Sequence, residues 1–204
     1  MDNIGGGKRS YHHGDLRQAL LQAAEEELKE KGIEGFTLRG CARRAGVSHA
    51  APAHHFRDAD ALLTALAAQA YSRLIAAMNA RRAKAAESPA SQLVALGLGY
   101  IDFATGEPAL FKLMFSSDRP DFSDPELSEP ATAAYKALVE AVCAAKGSDN
   151  EEAAAPDIAA AWAMVHGIAE LVNSGQLRML SASEPANRQE AYRALLTRVL
   201  PHPG

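Results

Sequence analysis

Cysteine is scarce in this chain: Cys41 and Cys143 stand alone, far apart and in no metal-ligand spacing. Two isolated thiols argue against a disulfide framework and predict reduced cysteines in a cytoplasmic protein. Residues 1–13 read as a Gly-rich polar arm, with Gly5-Gly6-Gly7 ahead of Lys8-Arg9 and no apolar segment of signal-peptide type behind it. No run approaches the roughly 20 apolar residues that span a bilayer, so no membrane partner is expected. Aromatics make up only 6% of the chain, alanine abounds and no strand-like alternation appears. That combination predicts an all-α protein, and a 48% hydrophobic content is ample for its core.

Catalytic constellations are also missing. Of seven histidines, five fall within the first 55 residues, yet His12-His13 and His54-His55 are adjacent pairs. Neighbouring side chains on a helix diverge, so neither pair converges on one ion. With no His-Glu-x-x-His and no Cys-x-x-Cys, the sequence predicts no enzyme, no cofactor and no metal site. A metal-responsive regulator is the residual form of a metal reading.

What the chain does have is a local excess of positive charge. The net charge is -4, yet Phe36 to Arg57 holds four arginines, three histidines and no acidic residue. Residues 1–60 are balanced, nine basic against nine acidic, so the deficit lies in the remainder. A basic patch beside an acidic body fits a small nucleic-acid module on a domain with another task. On charge alone, a solvated helix face explains the arginines equally well.

Local signals organise that patch. Asp15 suits a helix start, and Leu16, Leu20, Ala24 and Leu28 form an i, i+4 stripe that stops at Gly32. Thr37 is placed to cap a second helix, with Leu38, Cys41, Ala42 and Ala45 inward and Arg39 and Arg43 outward. Gly46 suits the left-handed position after that helix, Val47 packs in the turn, and Ser48 caps a third helix running to Phe56. Two short helices joined this way form a helix-turn-helix, whose second helix enters a DNA major groove. His49, Ala50 and Ala53 would then meet bases, His54 and His55 phosphates, and Thr37 and Arg39 the groove edge.

Further on, Asp58 caps a long helix over 59–86, and Ser88-Pro89 interrupts it. A fifth helix carries Leu93, Leu96, Tyr100 and Phe103; a sixth, after Glu107-Pro108, bears Phe111, Met114 and Phe115. Residues 116–130, with three prolines and five acids around one arginine, read as an exposed loop. Helices over 131–146, 157–174 and 187–200 complete about nine, with a polar break from Gly147 to Pro156. The helix over 157–174 is apolar almost all round, which requires burial on several sides, part of it against a partner chain.

The run Gly32-Ile33-Glu34-Gly35-Phe36-Thr37-Leu38-Arg39, then Ala45-Gly46-Val47-Ser48, His54-His55-Phe56 and Leu62-Leu63, resembles the DNA-binding domain of TetR-family transcriptional regulators. The resemblance implies an N-terminal three-helix helix-turn-helix domain, here 1–58, and a C-terminal helical effector-binding and dimerisation domain, 59–204. It implies a homodimer, here through the last two helices, that binds double-stranded palindromic operator DNA and is released by a small-molecule effector. Two departures stand out. Pro52-Ala53 replaces the family's usual Leu-Tyr, losing a phosphate-touching tyrosine and an intrahelical amide. Ala59-Asp60 stands where a backbone-gripping lysine is common; Lys8-Arg9 and His12-His13 are substitute contacts or plain solvated tail. These departures keep open a second class, a helical protein-interaction module with altered or weak DNA binding.

In the C-terminal half, Trp162-x-x-x-His166-Gly167 and Pro108-Ala109-Leu110-Phe111-Lys112-Leu113-Met114-Phe115 resemble the Trp-His-Gly subgroup of the same family. Tyr100, Phe103, Phe111, Met114, Phe115, Trp162 and His166 are the candidate ligand-binding residues. A pocket or a plain core accounts for them alike. Tyr135 and Asn173 are further polar anchors for a ligand, and Gly167 permits close helix approach at a dimer seam.

Overall fold

The computed structural model describes residues 13–178 and 184–199. The arm with Lys8-Arg9 and His12, and Pro201 beyond the last helix, lie outside the described residues. Among those described there are eight α-helices, one short 3-10 turn and no strand.

The first two helices, α1 (His13–Lys31) and α2 (Leu38–Arg44), pack on each other. Of the residues expected inward, Leu20, Ala24, Leu28, Cys41 and Ala42 are buried and Leu16, Leu38 and Ala45 half-buried, with Phe36 adding to the same core. Thr37 caps α2 as expected, its Oγ1 accepting the Gly40 amide at 3.0 Å. Burial and the nearby Glu27 push the Cys41 thiol up to about 12, so it stays a neutral core group.

The third helix departs from expectation. In place of an α-helix over Ser48–Phe56 there is one 3-10 turn, Ala51–His54. Its cap position is Ala50, without a side-chain bond; Ser48 contributes only its carbonyl, which accepts the Ala51 amide at 3.0 Å. Pro52 is the cause: without an N–H it cannot close an α-helical ring, and its own carbonyl takes the amides of His55 and Phe56, both at 2.9 Å.

Helix α3 (Ala59–Arg82) starts at Asp58, whose carboxylate accepts the Ala61 amide at 2.8 Å. By length and composition it is apolar enough to cross a bilayer, contrary to the expectation that no run qualifies. Most of it is buried, however: Leu62, Leu63, Leu66, Ala70, Tyr71, Leu74 and Met78 lie in its buried face, and the helix packs against α1 as well as the three helices that follow it. It is the central core helix. Around it stand α4 (Pro89–Gly106), α5 (Pro108–Phe115), α6 (Pro125–Lys146) and α7 (Glu151–Asn173), with α8 (Pro185–Val199) against α4 and α7.

Two helices start earlier than the sequence pattern predicts. Asp124 accepts the Glu126 amide and Pro125 opens α6, so the loop ends at 124 and Pro130 lies inside the helix. Asn150 accepts the Ala153 amide and Glu151-Glu152 fill the first turn of α7, which carries Pro156 through it. Pro125 opens α6 at little cost, because the first amides of a helix have no intrahelical partner to lose. Pro130 and Pro156, six residues in, each forfeit one intrahelical bond that the rest of a long helix outweighs.

Helices α3 and α4 approach backbone to backbone at Gly99, where a Cβ would sit 2.5 Å from the Met78 Cα. Backbone cannot yield as a side chain tip does. Gly99→Ala is therefore expected to destabilise the fold by about 2–3 kcal/mol, an overpacking cost, lowering Tm by roughly 5–10 °C. A melting midpoint unchanged from the parent would show that α3 and α4 part without cost.

Candidate nucleic-acid interface and internal cavity

The α2–turn unit is built to present a narrow polar strip. Gly46 adopts φ +68°, the Val47 amide reaches the Ala42 carbonyl at 3.0 Å and the Gly46 amide reaches Arg43 at 3.2 Å. That pairing is a Schellman stop, which ends α2 and sets the angle at which the 3-10 turn leaves it. Beyond it, Ser48, His49, Ala50, Ala53 and His54 are exposed, as are Thr37, Arg39 and Arg43. Pro52 and Phe56 are buried beneath them.

The arginines divide by role. Arg44 turns inward, donating from Nε to the buried Glu27 carboxylate at 2.5 Å and also pairing with Glu30. Lys31 and Arg44 together hold the Glu30 carboxyl down at about 2. Arg44 thus clamps α2 to α1, whereas no ion pair occupies Arg39 or Arg43 among the described residues. Thr37 spends an acceptor lone pair on its cap, which leaves its hydroxyl proton for another partner. Of the expected contact residues one is placed differently: His55 is half-buried, with its ring beside Phe56 at 6.5 Å.

A second constellation lies between α3, α4, α6 and α7. A cavity of about 90 Å³ is lined by Tyr71, Leu74, Met78, Tyr100, Leu138 and Trp162, among others. A more open compartment of about 560 Å³ adjoins it, sharing Tyr71, Phe115 and Trp162 and adding Met114, Phe122 and His166. The Tyr100 hydroxyl and His166 Nδ1 are 2.9 Å apart. Burial pushes the Tyr100 phenol up, only partly offset by a hydrogen bond with the Trp162 indole. Burial likewise lifts Tyr71 to about 12, so both phenols are neutral.

The candidate ligand residues therefore separate. Tyr100, Met114, Phe115, Trp162 and His166 line the two compartments. Phe103 and Phe111 line neither and are core, Phe111 lying 5.3 Å from the His166 ring and 5.0 Å from Phe115. Trp162 is not core; it is 41% exposed and faces Tyr135, itself exposed, across 6.1 Å. Asn173 does not face the cavity, because its amide donates to the Ala104 carbonyl at 3.0 Å and ties α7 to α4. Tyr71, Leu74, Met78 and Leu138 line the cavity although the sequence does not single them out. They sit on ordinary core stripes, and nothing in their spacing marks where neighbouring helices diverge.

The strip and the cavity are joined by residues 116–124, the loop between α5 and α6. Arg119 donates to Asp60 at 2.7 Å and to the Ile33 carbonyl at 2.9 Å, and its guanidinium lies 5.8 Å from the Phe36 ring centre. The Asp121 amide donates to Thr64 Oγ1 at 3.0 Å, and Phe122 meets Tyr71 edge-on at 6.3 Å. A separate cluster links α1 to the start of α5: Lys29 and Arg73 both pair with Glu25 and with Glu107.

Among the described residues no three His, Cys, Asp or Glu side chains gather as a metal site.

Known proteins agree with this layout. A family model described as bacterial regulatory proteins, tetR family, matches residues 20–66. Another, the tetracyclin repressor-like C-terminal domain, matches 93–199. The HTH-type transcriptional regulator BetI of Burkholderia mallei is 27% identical over 180 residues, covering 88% of this chain and 89% of its own. A solved protein of unknown function from Rhodococcus sp. RHA1 is 34% identical, with a TM-score of 0.76 over 95% of this chain and 99% of that one. The multidrug binding protein EbrR, solved with imidazole, shares the fold at 21% identity and a TM-score of 0.61, covering 98% of this chain and all of its own. The two family matches fall on the helix-turn-helix and on the helices that enclose the cavity, and the chain belongs to the TetR family of DNA-binding transcriptional regulators.

Proposed function

We propose that the chain is a repressor that holds a palindromic operator and leaves it when a small molecule fills the cavity between α3, α4, α6 and α7. The observation that carries this reading is the exposed, carboxylate-free strip from Thr37 to His54 at one end and an aromatic cavity behind it, joined by one loop. In this reading residues up to 58 form the DNA-reading head and residues from 59 the effector and dimer body. His49, Ala50 and Ala53 face base edges and thymine methyls; Thr37, Arg39, Ser48 and His54 take phosphates or the groove edge. Half-buried His55 supports the turn more than it touches DNA.

Two chains pair through α7 and α8. The outward face of α7 supports this: Ala160, Ala163 and Leu171 are exposed, and the space around Gly167 is open to a close helix approach. Pairing there sets two heads side by side for half-sites roughly 34–36 Å apart. The protein acts on DNA in the cytoplasm.

A pull-down of genomic fragments, its own upstream region included, tests the reading. The expected result is retention of a palindromic site at moderate salt, far above random DNA, with affinity falling steeply as salt rises. If no fragment outlasts random DNA, the protein is instead an interaction module, the reading that Pro52 and the Asp60–Arg119 pair favour.

A further inference from the structure

We propose that the cavity takes an uncharged, mostly apolar molecule with a flat ring system and one hydrogen-bonding group, which it presents to the Tyr100–His166 pair. This rests on the reading of the cavity as the effector site and names the ligand's chemistry.

The inner compartment decides the charge. Its deep wall is Leu74, Met78, Leu96, Leu138 and Val165, and no Asp, Glu, Lys or Arg lines either compartment. A charged ligand there would shed its hydration with no counter-ion to replace it. The carboxylate beside the site, Glu170, approaches only the far ring nitrogen of His166, at 3.9 Å, and lines neither compartment. Aromatic rings alone do not rescue a cation. A desolvated cation–π contact contributes about 2 kcal/mol, whereas removing an ion from water costs several kcal/mol.

The outer compartment decides the shape. Tyr71, Phe115, Phe122 and Trp162 converge on it from four different segments, and Tyr71 meets both phenylalanines edge-on. A planar molecule slides between such rings and gains offset or edge contacts with each. Tyr100 lines the inner compartment and His166 the outer one, and the Tyr100 hydroxyl and His166 Nδ1 lie 2.9 Å apart between the two. Whichever of the two donates to the other, the Tyr100 oxygen keeps an acceptor lone pair, so a hydroxyl on the ligand finds a partner there. Larger ionised ligands meet no matching group.

Trp162 makes the proposal measurable, because it is the chain's sole tryptophan and borders both compartments. The full chain is titrated with 2-naphthol, naphthalene, 2-naphthalenesulfonate and a naphthylmethyl-trimethylammonium salt, by calorimetry with Trp162 emission recorded alongside. The expected result is that 2-naphthol binds with a change in emission. Each charged analogue binds at least about tenfold more weakly, a difference near 1.4 kcal/mol. Naphthalene falls between, and Tyr100→Phe brings 2-naphthol down to the level of naphthalene. A charged analogue that binds as tightly as 2-naphthol overturns the proposal, as does 2-naphthol binding that leaves Trp162 emission unchanged. If none of the four binds while an operator fragment is retained, the ligand class is wrong and the regulator reading stands. If 2-naphthol binds as expected but no fragment is retained, the regulator reading falls and the cavity chemistry survives.

Discussion

A chain carrying Arg39→Ala and Arg43→Ala together is expected to lose operator affinity by roughly 30- to 300-fold while keeping its dimer mass and melting temperature. Both guanidiniums project from α2 into solvent, and no salt bridge occupies either one among the described residues. Each contact between a charged donor and a phosphate is worth about 1–2 kcal/mol, and two of them give a loss of that size. Their electrostatic signature is separate from their strength. Each phosphate neutralised adds about 0.9 to the slope of log affinity against log salt, so the double variant's slope is shallower by nearly 2. Lys84→Ala, past the far end of α3, serves as the control and leaves both quantities alone. Arg44→Ala behaves in the opposite way. It uncovers the buried Glu27 carboxylate and is expected to lower stability before it alters DNA contacts. An unchanged salt slope in the double variant would show that the strip facing DNA is not the one presented by α2.

Much of this architecture is written in short-range signals. Thr37 and Asp58 mark helix starts by accepting amides three positions on, Gly46 marks a helix end by donating its amide to the Arg43 carbonyl, and those bonds are present. Other features turn on competition between signals. Pro52 does more than bend a recognition helix; it reduces that helix to a single 3-10 turn, because so short a segment cannot absorb a missing amide. Pro125, Pro130 and Pro156 carry the same chemistry near the starts of long helices, where the remaining turns outweigh the loss. The sequence pattern puts Pro52 within a helix and Pro125, Pro130 and Pro156 in loops, and segment length with the caps at Asp124 and Asn150 reverses that assignment. The cavity was half legible. Tyr100 and Phe111 occupy equivalent places on apolar stripes, yet Tyr100 borders the cavity and Phe111 is sealed off. That difference depends on how far apart four helices stand, which no local spacing encodes. Arg119, a lone arginine among five acids, has the pattern of a solvated loop charge, and only folding brings it against Asp60.

That contact leads to the other large effect. Arg119→Ala is expected to leave DNA and ligand affinities, each measured alone, within a few-fold of the parent, while removing most of the ligand's power to release DNA. The residue ties the start of α3 to two parts of the head at once, reaching the Asp60 carboxylate, the Ile33 carbonyl after α1 and the Phe36 ring ahead of α2. Three positions further on, Phe122 lies against Tyr71 and borders the outer compartment. A ligand that moves Phe122 therefore pulls on the same short loop that grips the head. Effector coupling in such systems is commonly 5- to 150-fold in affinity, about 1–3 kcal/mol. Without the guanidinium, the loop keeps its hold on α3 through Thr64 and Tyr71 but loses its grip on Ile33 and Phe36, and the ratio of operator affinities without and with ligand is expected to approach 1. Stability is a poor readout, because a partly exposed ion pair contributes no more than about 1 kcal/mol. Arg119→Lys discriminates further: it can restore the charge pair with Asp60 but not the planar reach to Ile33 and Phe36, so partial coupling is expected. Full parental coupling in Arg119→Ala would route the signal through the Glu25–Lys29–Arg73–Glu107 cluster instead, the other charged bridge from α1 to the start of α5.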